Sequence, residues 1–169
     1  MSISLYQVSV PAMIRGLINL SAILEKASAH AAAKKFDGIV FAQSRLFPDM
    51  LPLTRQVQIA CDTAKGAAAR LAGVDIPKHE DTETTLPELQ ARIAATVAFL
   101  KGLNAEQMAG DETRPIELKF PNRVLKFTAV SYLTDFVLPN FYFHSTMVYA
   151  LLREGGVEIG KSDYLGAIQ

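Results

Sequence analysis

Apolar residues recur at three- and four-residue spacing in four stretches of the chain, and that period predicts four amphipathic helices. The first is expected over roughly Ser9 to Ala33, where Val10, Ile14, Leu17, Ile18, Leu24 and Ala31 share a face. Pro11 fits only near its start, so Ser9 is the expected cap, with Leu5 and Val8 hinting at an earlier turn. A linker through Gly38 and Pro48-Asp49 leads to a second helix from about Leu51, with Leu53, Val57, Ala60, Ala64, Ala67 and Leu71 inward and Gly73 as its stop. Val74 to Thr84 is polar and reads as a solvated connection long enough to cross the end of a bundle. Thr85-Leu86-Pro87-Glu88 is a capping box, in which threonine and glutamate side chains each satisfy a free amide, and it opens a third helix lined by Leu86, Leu89, Ile93, Val97 and Leu100.

After Gly110 the period changes to alternation. Ile116, Leu118 and Phe120 are separated by Glu117 and Lys119, Pro121-Asn122 marks a turn, and Leu125 and Phe127 flank Lys126. A β-hairpin over about 114–127 follows, which must lean on the helices because two strands alone are marginal in water. The fourth helix, Ala129 to Glu154, is apolar nearly all round and stops at Gly155-Gly156, leaving an extended tail over 155–169 that packs back or dangles. The predicted fold class is all-α: one domain over 1–169, a four-helix bundle with a long crossover and a small hairpin before the last helix.

Half of the residues are apolar, and 17 Lys and Arg balance 17 Asp and Glu, which argues against nucleic acid as a partner. The stretch Ala129 to Leu152 is long enough to span a membrane, but Asp135, Pro139, Asn140 and His144 interrupt it, so a buried core helix and no membrane contact are expected. The lone Cys61 cannot form an intramolecular disulfide, and a signal-type amino terminus is lacking, so the expected location is the cytoplasm.

Gly155 to Ser162 matches the phosphate-loop pattern G-x-x-x-x-G-K-S. A phosphate loop needs a strand before it and a helix after it, whereas here a helix precedes and seven residues follow, so the match is read as accidental. His30 and His79 suit a helix end and a polar linker, while His144 lies in the most apolar helix, one turn after Asn140, and needs a defined partner. Asp135 and His144, nine residues apart, fall on opposite faces unless Pro139 bends the helix. Cys61 is expected to be a small buried apolar group and Asp62 to be solvated. Asp163 and Tyr164 are candidates to fold over the bundle toward Lys161 or His144. The aromatics Phe136, Phe141, Tyr142, Phe143 and Tyr149 cover more of one helix than a single core stripe needs, which suggests a homodimer.

The runs Leu138-Pro139-Asn140-Phe141-Tyr142-Phe143-His144, Gly155 through Gly166, and Pro48-Asp49-Met50 with Gln56 through Asp62 together resemble a bacterial domain family of unknown function within the DinB/YfiT-like four-helix bundles. The resemblance covers nearly the whole chain and implies their long-crossover topology and frequent homodimers, but no reaction. Better-known members of that wider group bind a divalent metal through one histidine of the second helix and an H-x-x-x-H pair on a later one, some transferring low-molecular-weight thiols. Here Asn140 and Val148 stand four residues either side of His144, and the second helix has no histidine, so no metal and no cofactor are expected. The primary expectation is small-molecule binding at a pocket near His144, Asn140, Tyr142, Asp49, Lys161 and Asp163. The alternatives are a thiol-transferase-like enzyme with a degenerate site at His144 plus Asp49 or Asp62, and a structural interaction module.

Overall fold

Ser4 starts the first helix: its hydroxyl accepts the Gln7 N–H at 3.2 Å while Gln7 Oε1 accepts the Ser4 N–H at 2.9 Å. The computed structural model describes residues 3–167. Helix α1 spans Leu5–Lys34, so it begins before the expected Ser9 and runs through Pro11. Ser9 is not a cap; it is buried, and its hydroxyl donates to the Leu5 carbonyl. The buried face is Val10, Met13, Leu17, Leu20, Leu24, Ala27 and Ala31, an alternating three-four spacing that leaves Ile18 on the rim, 48% exposed.

A short α2 (Ile39–Gln43) interrupts the linker and buries Phe41 against Phe36. Helix α3 (Leu53–Ala72) starts after Pro52, buries its whole expected stripe, and ends at Gly73 in the left-handed region at φ 69°. Helix α4 (Leu86–Lys101) carries the Thr85/Glu88 capping box and buries all five expected side chains.

Strands β1 (Pro115–Phe120) and β2 (Arg123–Thr128) pair antiparallel around Pro121-Asn122, with Leu118 opposite Leu125. Ile116 and Leu118 reach the core, whereas Phe120 stays 40% exposed under the Arg123 guanidinium, 5.3 Å from its ring.

The last helix is not uniform. It opens as α5 (Ala129–Ser131), widens to a π-helical segment over Tyr132–Val137, and continues as α6 (Leu138–Glu154). The Leu138 N–H bonds the Leu133 carbonyl five residues back, immediately before Pro139. Pro139 has no N–H and its ring crowds the carbonyl of the preceding turn, and a wider turn accommodates both. The expected extended tail is instead α7 (Lys161–Leu165), laid on α1.

The four long helices form a closed ring in which α1 touches α4 and α6, and α3 touches α4 and α6. Gln58 bonds Glu83, and Asp62 pairs with Arg92, so α3 and α4 run parallel. Gln56 faces His144 and Thr63 faces Asn140, so α3 and α6 run antiparallel. The connection over 74–84 therefore returns along the flank of the bundle rather than crossing its end. The buried apolar side chains form one cluster, to which every long helix contributes. Helix α1 is long and apolar enough to cross a membrane, with mean hydropathy 1.3 over its best window. Its heptad face is spent on α4 and α6, as expected of a core helix.

Candidate functional site

His144 is almost fully enclosed, 9% exposed, and its Nδ1 lies 2.7 Å from Gln56 Oε1. The Gln56 amide nitrogen donates to the Leu51 carbonyl at 3.0 Å, which fixes its oxygen toward the imidazole. His144 Nδ1 therefore carries the proton and Nε2 the lone pair. Burial holds its pKa below the ordinary histidine value, so the neutral ring is the resting form. The sequence assigned His144 a core role needing a partner; the partner proves to be an uncharged amide from α3.

The remaining candidates do not gather around this imidazole. Asn140 Nδ2 donates to Thr63 Oγ1 at 2.7 Å. Asp49 is exposed in the turn before α3, and Lys161 is exposed at the start of α7. Asp163 pairs with Lys26 at 2.6 Å and accepts the Gly160 N–H at 2.8 Å, so its partner is neither Lys161 nor His144. That second bond places a carboxylate at the start of α7, where a phosphate loop would hold phosphate. The tail does dock: the Tyr164 carbonyl accepts from Asn19, and its hydroxyl accepts from Thr146 at 3.0 Å.

The metal-binding pattern of the wider bundle group finds no matching donors here. Among the described residues no three His, Cys, Asp or Glu side chains converge. His144 faces an amide, which is a poor ligand for zinc or nickel, and Cys61 is buried with its thiol pushed up to about 12 by desolvation. The His79 imidazole is shifted the other way, down, by burial and by Lys65 and Arg92 nearby. The residues present do not fit a bound divalent ion.

Asp62, expected to be solvated, belongs to an ion network. Arg92, its side chain 1% exposed, contacts Asp62 at 2.8 Å, Asp81 at 3.0 Å and Glu83 at 3.0 Å. Lys65 adds a second contact to Asp62, Arg55 pairs with Asp81, and Gln58 donates to Glu83. Burial works against charge on Asp81 and Glu83, but Arg55 and Gln58, together with Arg92, hold both carboxyls below the usual range. The network straps the 74–84 segment to α3 and α4, so its role is architectural.

A different feature has the character of a binding site. Between α1, α6 and α7 lies a cavity of about 250 Å³. Leu20, Ile23 and Phe141 provide apolar walls, while Arg15, Asn19, Tyr142 and Tyr164 supply polar atoms. Gly16 is what lets the Phe141 ring lie against α1, since a Cβ there would stand 2.9 Å from the ring. Ser145 also lines the cavity; it is 3% exposed and its hydroxyl has no partner among the described residues. A buried hydroxyl normally finds a hydrogen bond. Of the six residues the sequence nominated, only Tyr142 lines this cavity.

The architecture is thus a four-helix bundle with a long crossover along its flank and a hairpin, and without convergent metal donors among the described residues. The chain belongs to the family described as "Domain of unknown function (DUF1993)", whose model matches residues 5–165. It is similar to a crystal structure of a DinB family member protein from Shewanella denitrificans: 45% identity over 97% of this chain and 93% of that one, TM-score 0.89. The DinB-like fold expected from the sequence is therefore shown. No curated protein matches.

Proposed function

We propose that this chain is a small-molecule binding protein whose site is the α1/α6/α7 cavity, not the neighbourhood of His144. The observation that carries the reading is the Ser145 hydroxyl, buried on the cavity wall without a partner among the described residues. An unmet donor in the interior costs about 1–3 kcal/mol, which a ligand acceptor offsets. The size agrees: an apolar cavity of about 150 Å³ accommodates benzene, so this one suits a single ring with a short substituent.

A thermal-shift screen of single-ring compounds tests the reading, with Ala12→Phe, which fills the cavity from α1, as control. Ligand at about 100 times its Kd stabilises the native state by about 2.7 kcal/mol, a rise of several degrees for this size of domain. Such rises are expected in the native protein and none in Ala12→Phe. Equal shifts in both proteins, or none in either, overturn it.

We infer a bacterial, cytoplasmic protein that pairs with a second copy of itself. The source of the similar structure and the unpaired thiol of Cys61 support the first two. Phe143, 55% exposed on α6, supports the third, being a large aromatic left at the surface.

A further inference from the structure

We propose that the occupant of this cavity is a monoanion, an aryl carboxylate with one ring and a one- or two-carbon arm, whose carboxylate is held by Arg15. The proposal rests on the cavity reading above and adds the charge of the ligand.

Arg15 is exposed at the cavity and makes no ion pair with any described residue. Its guanidinium is thus not neutralised by a neighbouring carboxylate, as those of Arg55 and Arg92 are. None of the residues lining the cavity is acidic, so the guanidinium gives the cavity a formal charge of one positive unit. The tail carboxylate, Asp163, is held by Lys26 and the Gly160 amide and supplies no counter-charge to the cavity. A cationic ligand would therefore meet repulsion and no compensating group, and a neutral one would gain nothing from the charge of Arg15.

The polar groups are distributed to suit an anion with an apolar body. Arg15 and Asn19 stand one turn apart on α1, and the Asn19 amide nitrogen is already committed to the Tyr164 carbonyl, which leaves the charged recognition to Arg15. The ring is received between Phe141 and the side chains of Leu20 and Ile23, all buried. The Ser145 hydroxyl donates a hydrogen bond to the ligand. Arginine's planar fork is well matched to both oxygens of a carboxylate.

Calorimetric titration with phenylacetate, phenylacetamide, phenethylamine and toluene tests the charge separately from the cavity. Phenylacetate is expected to bind about fivefold more tightly than the amide, the gain falling as salt is raised, as for a pair open to solvent. Phenethylamine is expected to be the weakest of the three compounds with a polar arm. Arg15→Gln is expected to bring phenylacetate to the level of the amide while the unliganded variant keeps the melting temperature of the native protein, which separates a lost charge contact from a damaged fold. Equal binding of acid and amide, or an acid preference that survives Arg15→Gln, overturns the anion proposal while leaving the cavity reading in place. Absence of binding by all four compounds overturns both.

Discussion

Replacing Arg92 with alanine is expected to destabilise the protein by about 3 kcal/mol, measured as a lower midpoint in urea unfolding. The guanidinium is enclosed, and its removal leaves Glu83, whose side chain is 13% exposed, without its cation. The lower end of the range for a broken buried pair applies, because Asp62 and Asp81 are about two-fifths open to water and regain hydration. The same variant changes the acid response. Glu83 and Asp81 have folded pKa values below their unfolded ones, so their contribution is complete above the unfolded carboxylate pKa and is lost as pH falls through the folded values. Stability of the native protein should therefore decline below about pH 4.5 more steeply than that of Arg92→Ala, where the carboxylates titrate nearer their ordinary values. A loss under 1 kcal/mol with an unchanged acid slope would show that the network is ornamental.

Phe141→Ala is expected to cost about 3–5 kcal/mol, the range for removing an enclosed aromatic ring. Phe141 is fully buried and packs against the α1 backbone at Gly16, so α1 cannot close the gap without moving its own main chain. It also forms one wall of the cavity, and the variant should recover part of its lost melting temperature in the presence of toluene, which occupies the vacated volume. A loss near 1 kcal/mol would mean that α6 and α1 are not packed as described.

Much of the bundle was legible because its signals are local. The Thr85/Glu88 box, the glycine stop at Gly73 and the alternation on either side of Pro121-Asn122 each depend on residues within a few positions of one another. The first helix was read with Ile18 inward because adjacent apolar residues, Leu17 and Ile18, satisfy the period almost equally well; only the heptad continued through Met13, Leu20 and Ala27 decides between them. Ser9 next to Pro11 imitates a helix start, and the true cap at Ser4 is marked by Gln7 three residues on. The tail helix α7 escaped notice because five residues carry too little periodicity, and its stability comes from Asn19, Lys26 and Thr146 elsewhere in the chain.

The candidate site was less legible, for reasons of distance and chemistry. His144 correctly attracted attention as a buried imidazole, but Gln56 lies 88 residues away and nothing local joins the two. Arg92 has no place among the sequence expectations, although its position one turn after Leu89 and one before Thr96 sets it on the buried stripe. Ser145 gave no signal of its own, because a serine in an apolar helix usually bonds a carbonyl of the preceding turn. Its open hydroxyl becomes visible only once Gly16, Phe141 and the docked tail are seen to leave a space beside it.

The location of a bound ring inside the bundle is the most direct measurement. With backbone amides assigned by NMR, titration of the tightest-binding single-ring compound should shift the resonances of Gly16, Asn19, Ser145 and Tyr164 together and leave those of Gln56 and Thr63 in place. Shifts centred on Gln56 and His144, with Gly16 and Ser145 unmoved, would put the site on the other face of α6 and contradict the account.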